Sequence, residues 1–162
     1  MTVSHCGEDA FRLAFEQYTD TVYRVAVHNT TNTADAEDVT QEVFLRLYQN
    51  SKHFRDAEHM KAWLIRVTIN LCRNRYRNSK RETLAAEIPL PAQETAYSNV
   101  LDAVKALPEN QRNAIYLHYY EGYTASEIAN LLSSRTNTVL SWLRRARETL
   151  RETLGGSDDE TI

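Results

Sequence analysis

Arg66, Asn70, Arg73 and Arg77 stand at spacings of four, three and four, the interval that lines side chains along one stripe of a helix. Such a stripe is equipped for nucleic acid. Guanidinium groups contact phosphate in a bidentate way, and an asparagine amide reads a base edge or a splayed base. Taken alone, the stripe is also compatible with a solvated basic face. Just upstream, Lys52, His53, Phe54 and His59 crowd the segment from Asn50 to His59. Rings beside cations suit a single-stranded base, because stacking tolerates any sequence and contributes roughly 1–3 kcal/mol per base. For Phe54, and for Trp63 further on, a place in the core is the preferred reading of the residues by themselves.

A second constellation follows Gly122. Thr124-Ala-Ser-Glu127 is a capping box, in which the threonine hydroxyl and the glutamate carboxylate each take an orphan backbone N–H. It opens a short helix through Leu132; after Ser133-Ser134-Arg135 another helix starts near Thr136. A capped short helix, a tight turn and a basic final helix describe a helix-turn-helix, whose second helix presents its N-terminal residues to base edges in the major groove. Asn137, Ser141, Arg144 and Arg145 form its outward set, and Arg135 with Arg144 to Arg147 favours DNA over an ordinary helical hairpin. A third surface is different: Asp38, Gln41, Glu42, Leu45 and Arg46 make a mixed acidic and apolar face, suited to a protein rather than to phosphate.

These residues need helices to position them, and apolar spacing is helical throughout. One helix is expected over about 9–28, with Phe11, Phe15, Tyr18, Val22 and Val25 inward. A second is expected over about 35–49 on Ala36, Val39, Val43 and Leu47, and a third over about 60–77 on Met60, Trp63, Leu64, Val67 and Leu71. Residues 78–96 contain Pro89 and Pro91 and read as a linker. A short helix near 97–107 precedes Pro108, placed as the first residue of a helix that ends at Gly122. The last helix buries Val139, Leu143, Ala146 and Leu150, and an acidic tail over 155–162 is expected to be disordered. The fold class is all-α, with two small helical domains.

The chain has 162 residues, a net charge of −3, four glycines and two cysteines. Scattered glycines exclude a Gly-rich phosphate loop, and apolar runs of at most four residues exclude a membrane-spanning segment. Nothing at the start reads as a secretion signal. Cys6 and Cys72 fit neither a disulfide framework nor metal spacing, which suggests a reducing cytosol; a redox switch between them is conceivable, although Cys72 lies in a mostly apolar helix. No catalytic motif or metal-binding cluster occurs, so neither an enzyme nor a cofactor is expected. The mean charge hides two basic blocks: residues 60–81 carry net +7 without one acid, and residues 135–151 carry net +4. Residues 1–59 and 82–134 are each at −5. Acidic flanks repel phosphate, so the free chain is expected to bind duplex DNA weakly.

Asp35-Ala-Glu-Asp-Val-Thr-Gln-Glu-Val-Phe-Leu-Arg-Leu-Tyr48, Phe54-Arg55, Trp63-Leu64, Arg66-Val67 and Asn70 resemble region 2 of the extracytoplasmic-function (ECF) sigma factors, of the sigma-70 family. Leu107-Pro-Glu-Asn-Gln-Arg112, Tyr120-Glu-Gly122, Glu127-Ile-Ala129 and Thr138-Val139 to Arg147 resemble their region 4. The resemblance implies region 2 over 1–77, a linker over 78–96 and region 4 over 97–154. It implies docking on core RNA polymerase through Asp38, Gln41, Glu42, Phe44, Leu45 and Arg46. It further implies melting and reading of the minus-10 element by Lys52, Phe54, Arg55, His59, Lys61, Trp63, Arg66, Asn70, Arg73, Asn74 and Arg77. The minus-35 element falls to Thr124, Arg135, Asn137, Thr138, Ser141, Arg144 and Arg145. A cytoplasmic protein, monomeric when free and restrained by an anti-sigma factor, is implied as well. The chain departs from the family pattern at Asn137 (often Gly), Leu140 (Lys or Arg), Trp142 (Arg) and Ser133 (Gly). A stand-alone helix-turn-helix regulator is the alternative from another class.

Overall fold

With Gly and Pro confined to a few positions, little interrupts helix propagation, and in the computed structural model every regular element among the described residues is helical. The structure describes residues 8–50, 54–82 and 96–155, in two compact units, Met1–Ala86 and Glu87–Ile162. None of the described helices is long and apolar enough to cross a membrane.

The first unit holds α1 (Glu8–His28), α2 (Thr33–Gln49) and α3 (Ala57–Glu82). Asn32 starts α2, its side chain accepting the Asp35 N–H at 2.7 Å, which satisfies one of the donors a helix start leaves open. Val22 and Ala26 of α1, Val39, Val43 and Leu47 of α2, and Leu64 of α3 meet in one core; each buried Val or Leu contributes about 1.5–3 kcal/mol. Tyr18 ties α1 to the start of α3, its hydroxyl donating to the Ala57 carbonyl at 3.3 Å. Burial, then the nearby Glu58 carboxylate, pushes the Tyr18 hydroxyl above its ordinary pKa.

Two expectations change here. Phe15, assigned to the core, is 45% exposed, because it lies at the edge of the α1 stripe, where the ring of Phe44 reaches it edge-on at 5.0 Å. The third helix is longer than 60–77 at both ends: Asp56 starts it early, and residues 78–82, which hold neither Gly nor Pro, continue it into the stretch read as linker. The remaining linker residues 83–95 and the tail from 156 on lie outside the described residues. Ile65, Thr68 and Ile69 are also buried, so α3 is covered over a wider arc than its expected stripe. Cys72 is buried, a small apolar filler.

The second unit holds α4 (Ala96–Lys105), α5 (Glu109–Ile115), a π-helical turn over Tyr116–Tyr120, α6 (Ala125–Leu131) and α7 (Thr136–Thr153). Pro108 is the residue before α5 rather than its first, with extended ψ of 148°. Arg112 reaches back from α5, its Nη1 donating to the carbonyls of Lys105 at 3.3 Å and Leu107 at 3.1 Å. Lys105 ends α4, which leaves its carbonyl without a helical partner, and Leu107 lies in the turn that follows. Burial, then the Arg112 guanidinium, holds the Lys105 ammonium below its ordinary pKa. The π turn closes where the Glu121 N–H donates to the Tyr116 carbonyl at 3.3 Å, and Gly122 reverses the chain at φ +81°. Leu117, Ile128, Val139, Leu143 and Ala146 form the buried centre.

Candidate nucleic-acid interface

The wide buried arc of α3 leaves a narrow outward strip. On it lie Arg66, Asn70, Asn74 and Arg77, all exposed, with Arg73 half-buried beside them. From Arg66 to Arg77 the helix rises about 16 Å, alongside roughly five stacked nucleotides at ~3.4 Å each. The structure therefore brings this set together on one accessible line. Arg75, in the same basic block, points elsewhere: its Nη1 lies 3.6 Å from Asp35 and 3.7 Å from Asp38, two acids at the start of α2. Sequence reasoning missed that role, although a step of two residues places Arg75 roughly 200° around the helix from Arg73. Tyr76, exposed on the same turns, is a further ring that sequence reasoning passed over.

The segment before α3 is organised by its own side chains. Asp56 starts the helix, its carboxylate accepting the His59 N–H at 2.8 Å, and His59 returns a bond, its Nδ1 accepting the Arg55 N–H at 3.1 Å. This is the reciprocal logic of a capping box with imidazole in place of carboxylate. Phe54 sits edge-on to His59 at 5.4 Å and to Trp63 at 5.6 Å, and both Phe54 and Trp63 pack against the core. The preferred core reading of these two rings thus agrees with their packing, while each stays half-exposed. Arg55 is exposed and Lys61 half-buried; Lys52 lies outside the described residues.

On α2, Asp38, Gln41, Leu45 and Arg46 are exposed and Glu42 half-buried, a single stripe at helical spacing. Glu42 and Arg46 pair at 3.9 Å. Phe44 does not belong to this face: it is 2% exposed, because position 44 turns toward α1, where Phe11 and Phe15 meet its ring edge-on. It supports the face from beneath. Exposed Tyr48, edge-on to Phe11 at 5.4 Å, joins Phe15 in an aromatic margin beside Leu45.

In the second unit the expected capping box is present. Thr124 Oγ1 accepts the Glu127 N–H at 3.1 Å, and Glu127 Oε1 accepts the Thr124 N–H at 2.9 Å, so the Thr124 hydroxyl holds the start of α6. The turn to α7 places Ser133 at φ 52° and lets the Ser134 N–H donate to the Ala129 carbonyl at 2.8 Å, a Schellman closure. On α7, Asn137, Arg144 and Arg145 are exposed, as is Arg135 before it; Thr138 and Ser141 are half-buried. Arg147 is engaged inside the unit, donating to the Tyr119 hydroxyl at 3.0 Å. Trp142 is half-buried and Leu140 exposed.

Two helical units, one with an arginine and asparagine strip and one with a helix-turn-helix, define the class of a DNA-directed protein. Residues 14–82 match the Sigma-70 region 2 family and residues 97–150 match Sigma-70, region 4. The chain is 30% identical over 168 residues to the ECF RNA polymerase sigma factor SigW of Bacillus subtilis, spanning 91% of this chain and 90% of that relative. Its fold is similar to that of the sigma factor RpoE in complex with the anti-sigma factor NepR from Bartonella quintana, with TM-score 0.76 and 22% identity over 91% of this chain and 98% of the other. CnrH in complex with the cytosolic domain of CnrY gives TM-score 0.69 and 22% identity over 96% and 94%. The chain belongs to the ECF sigma factors of the sigma-70 family. It is an alternative sigma factor directing transcription initiation.

Proposed function

We propose that the chain docks on core RNA polymerase through the outer face of α2 and divides promoter recognition between its two units. Asp38, Gln41, Glu42, Leu45 and Arg46 supply a face of acids, amide and one apolar side chain, suited to a protein partner and not to phosphate. The α3 strip, with Arg55, Phe54, His59, Lys61 and Trp63 at its entrance and Lys52 upstream, takes the opened minus-10 strand: arginines on phosphates, Asn70 on a splayed base, rings for stacking. The outward residues of α7, with Arg135, read the minus-35 element as duplex. Polymerase binding makes the second promoter contact intramolecular and so raises its effective concentration.

One observation carries this reading. A single chain mounts exposed base- and phosphate-contacting groups on two separate helical units and carries on α2 a third face in which Asp38, Glu42 and Leu45 stand beside Gln41 and Arg46. A stand-alone regulator would leave that third face without a purpose. Bond formation belongs to the polymerase, so the chain is no enzyme itself, and it works as a monomer in the cytoplasm, where core enzyme and promoter are. The sigma and anti-sigma pair among the similar structures supports an anti-sigma factor that covers these faces in the resting state.

Reconstitution tests the proposal. Core polymerase plus the full chain, with no inhibitor present, is expected to initiate at promoters whose mapped starts share two upstream elements, and Leu45→Arg is expected to abolish co-purification with core enzyme. Initiation no more selective than that of core enzyme alone overturns it.

A further inference from the structure

Leu140 is 50% exposed on α7, three residues after Asn137 and four before Arg144, on the flank of the helix about 100° around from buried Val139. A single exposed leucine ordinarily needs no explanation. Its neighbourhood sets this one apart. Between Glu127 and Glu148 the chain has four arginines and no acid, so what approaches this face is a polyanion rather than an apolar protein groove. In a helix-turn-helix the first turns of the second helix enter the major groove, and Leu140 lies in the second turn of α7. The groove floor offers hydrogen-bonding groups on every base pair but an apolar group on only one base, the 5-methyl of thymine. A leucine cannot serve the former; its branched tip matches the latter.

We infer that Leu140 is a specificity-determining residue that reads a thymine methyl group in the upstream promoter element, between contacts made by Asn137 and Arg144. The inference rests on the proposed duplex reading by α7 and narrows it to a base. Asn137 and Arg144 flank the apolar position with groups able to take adenine N6/N7 and guanine O6/N7 or a phosphate, so the readout alternates polar, apolar and polar along the helix.

The test uses core polymerase reconstituted with the full chain. A promoter library randomised upstream is selected by transcription, and each thymine of the selected element is then replaced in turn by deoxyuridine, which deletes the methyl and keeps every hydrogen-bonding group. One replacement is expected to lower transcription about three- to fivefold, the factor for one buried methyl group. The same replacement is expected to cost nothing with Leu140→Ala, which withdraws the branched tip from an exposed site and leaves the fold intact. A merely structural role for Leu140 would not erase sensitivity to a methyl on the DNA. If the selected element holds no thymine, if none responds, or if Leu140→Ala responds as the parent does, the inference is overturned while duplex reading by α7 stands. If selection returns no upstream element at all, duplex reading by α7 fails and this inference fails with it.

Discussion

α3 and α7 carry the same chemistry, arginine with an asparagine amide, on two different mounts. The strip of α3 is defined by subtraction: a long helix is covered along one wide side, with Leu64, Ile65, Thr68, Ile69 and Cys72 all buried, and Arg66, Asn70, Asn74 and Arg77 line the opposite side. The face of α7 is instead set by devices a few residues long, the Thr124–Glu127 box and the Ser134–Ala129 closure. A strip that holds a separated strand cannot rely on the DNA for its shape, since an open strand imposes none; a face that meets intact duplex is guided by the groove. Precision is accordingly built into the core in one unit and into caps and a turn in the other.

Removing core from beneath α3 gives the largest effect expected. Leu64→Ala deletes a side chain 1% exposed and is expected to cost about 3 kcal/mol of the first unit's stability. Hydrogen exchange resolved by segment checks it: protection should fall across α1–α3 and stay unchanged across α6–α7. Equal loss in both units would break the contrast.

Next comes the strip itself. Asn70→Ala combined with Arg73→Ala removes two contacts of roughly 1–3 kcal/mol each and is expected to lower promoter opening on the order of a hundredfold. Permanganate footprinting reads the opening, and a pull-down on core polymerase should be unaffected. Loss of polymerase instead would mean that the recognition and docking faces have been exchanged. Smaller again is the cap: Thr124→Ala removes a hydroxyl that satisfies the Glu127 N–H and is expected to cost about 1 kcal/mol, measured as a lower midpoint for the second unit in urea.

The contrast also explains what could be read without coordinates. Local devices are written in a few adjacent residues, so the Thr124 box, the start of α7 near Thr136 and the exposed set at Asn137, Arg144 and Arg145 were legible. So was the α3 strip, which needs only helical spacing. Features that depend on a second element were not. Phe15 keeps helical register with Phe11, but how far neighbouring helices cover that edge is not written in α1; Phe44 entered the docking set only through the family resemblance, and α2 alone cannot show that α1 closes over it. Arg75 received no role from the sequence, and its place beside Asp35 and Asp38 appears only when α2 and α3 are packed together. His59 looked like a stacking ring, and its bond from the Arg55 N–H emerges only once the helix start at Asp56 is fixed. The π turn at Tyr116–Tyr120 carries no compositional signal of its own, since it differs from an α turn in hydrogen-bond spacing and not in residue type.

Ser133 provides the smallest effect and the one of opposite sign. Its φ of 52° lies in the left-handed region, where a side-chain Cβ crowds the following carbonyl oxygen and glycine is free of that penalty. The Ser134 N–H to Ala129 bond requires this conformation, since only a left-handed residue after the helix turns the next N–H back toward the last helical carbonyls. Ser133→Gly relieves the crowding but gives the unfolded chain more freedom, which offsets part of the gain. A net stabilisation of about 0.5 kcal/mol is expected for the second unit, with the first unit unchanged. The turn carries none of the residues proposed to contact DNA, so transcription from a promoter with its full upstream element should be unaltered. If Ser133→Gly instead destabilised α6 and α7, the closure would not be governed by the left-handed residue, and the claim that local geometry shapes this unit would lose its turn.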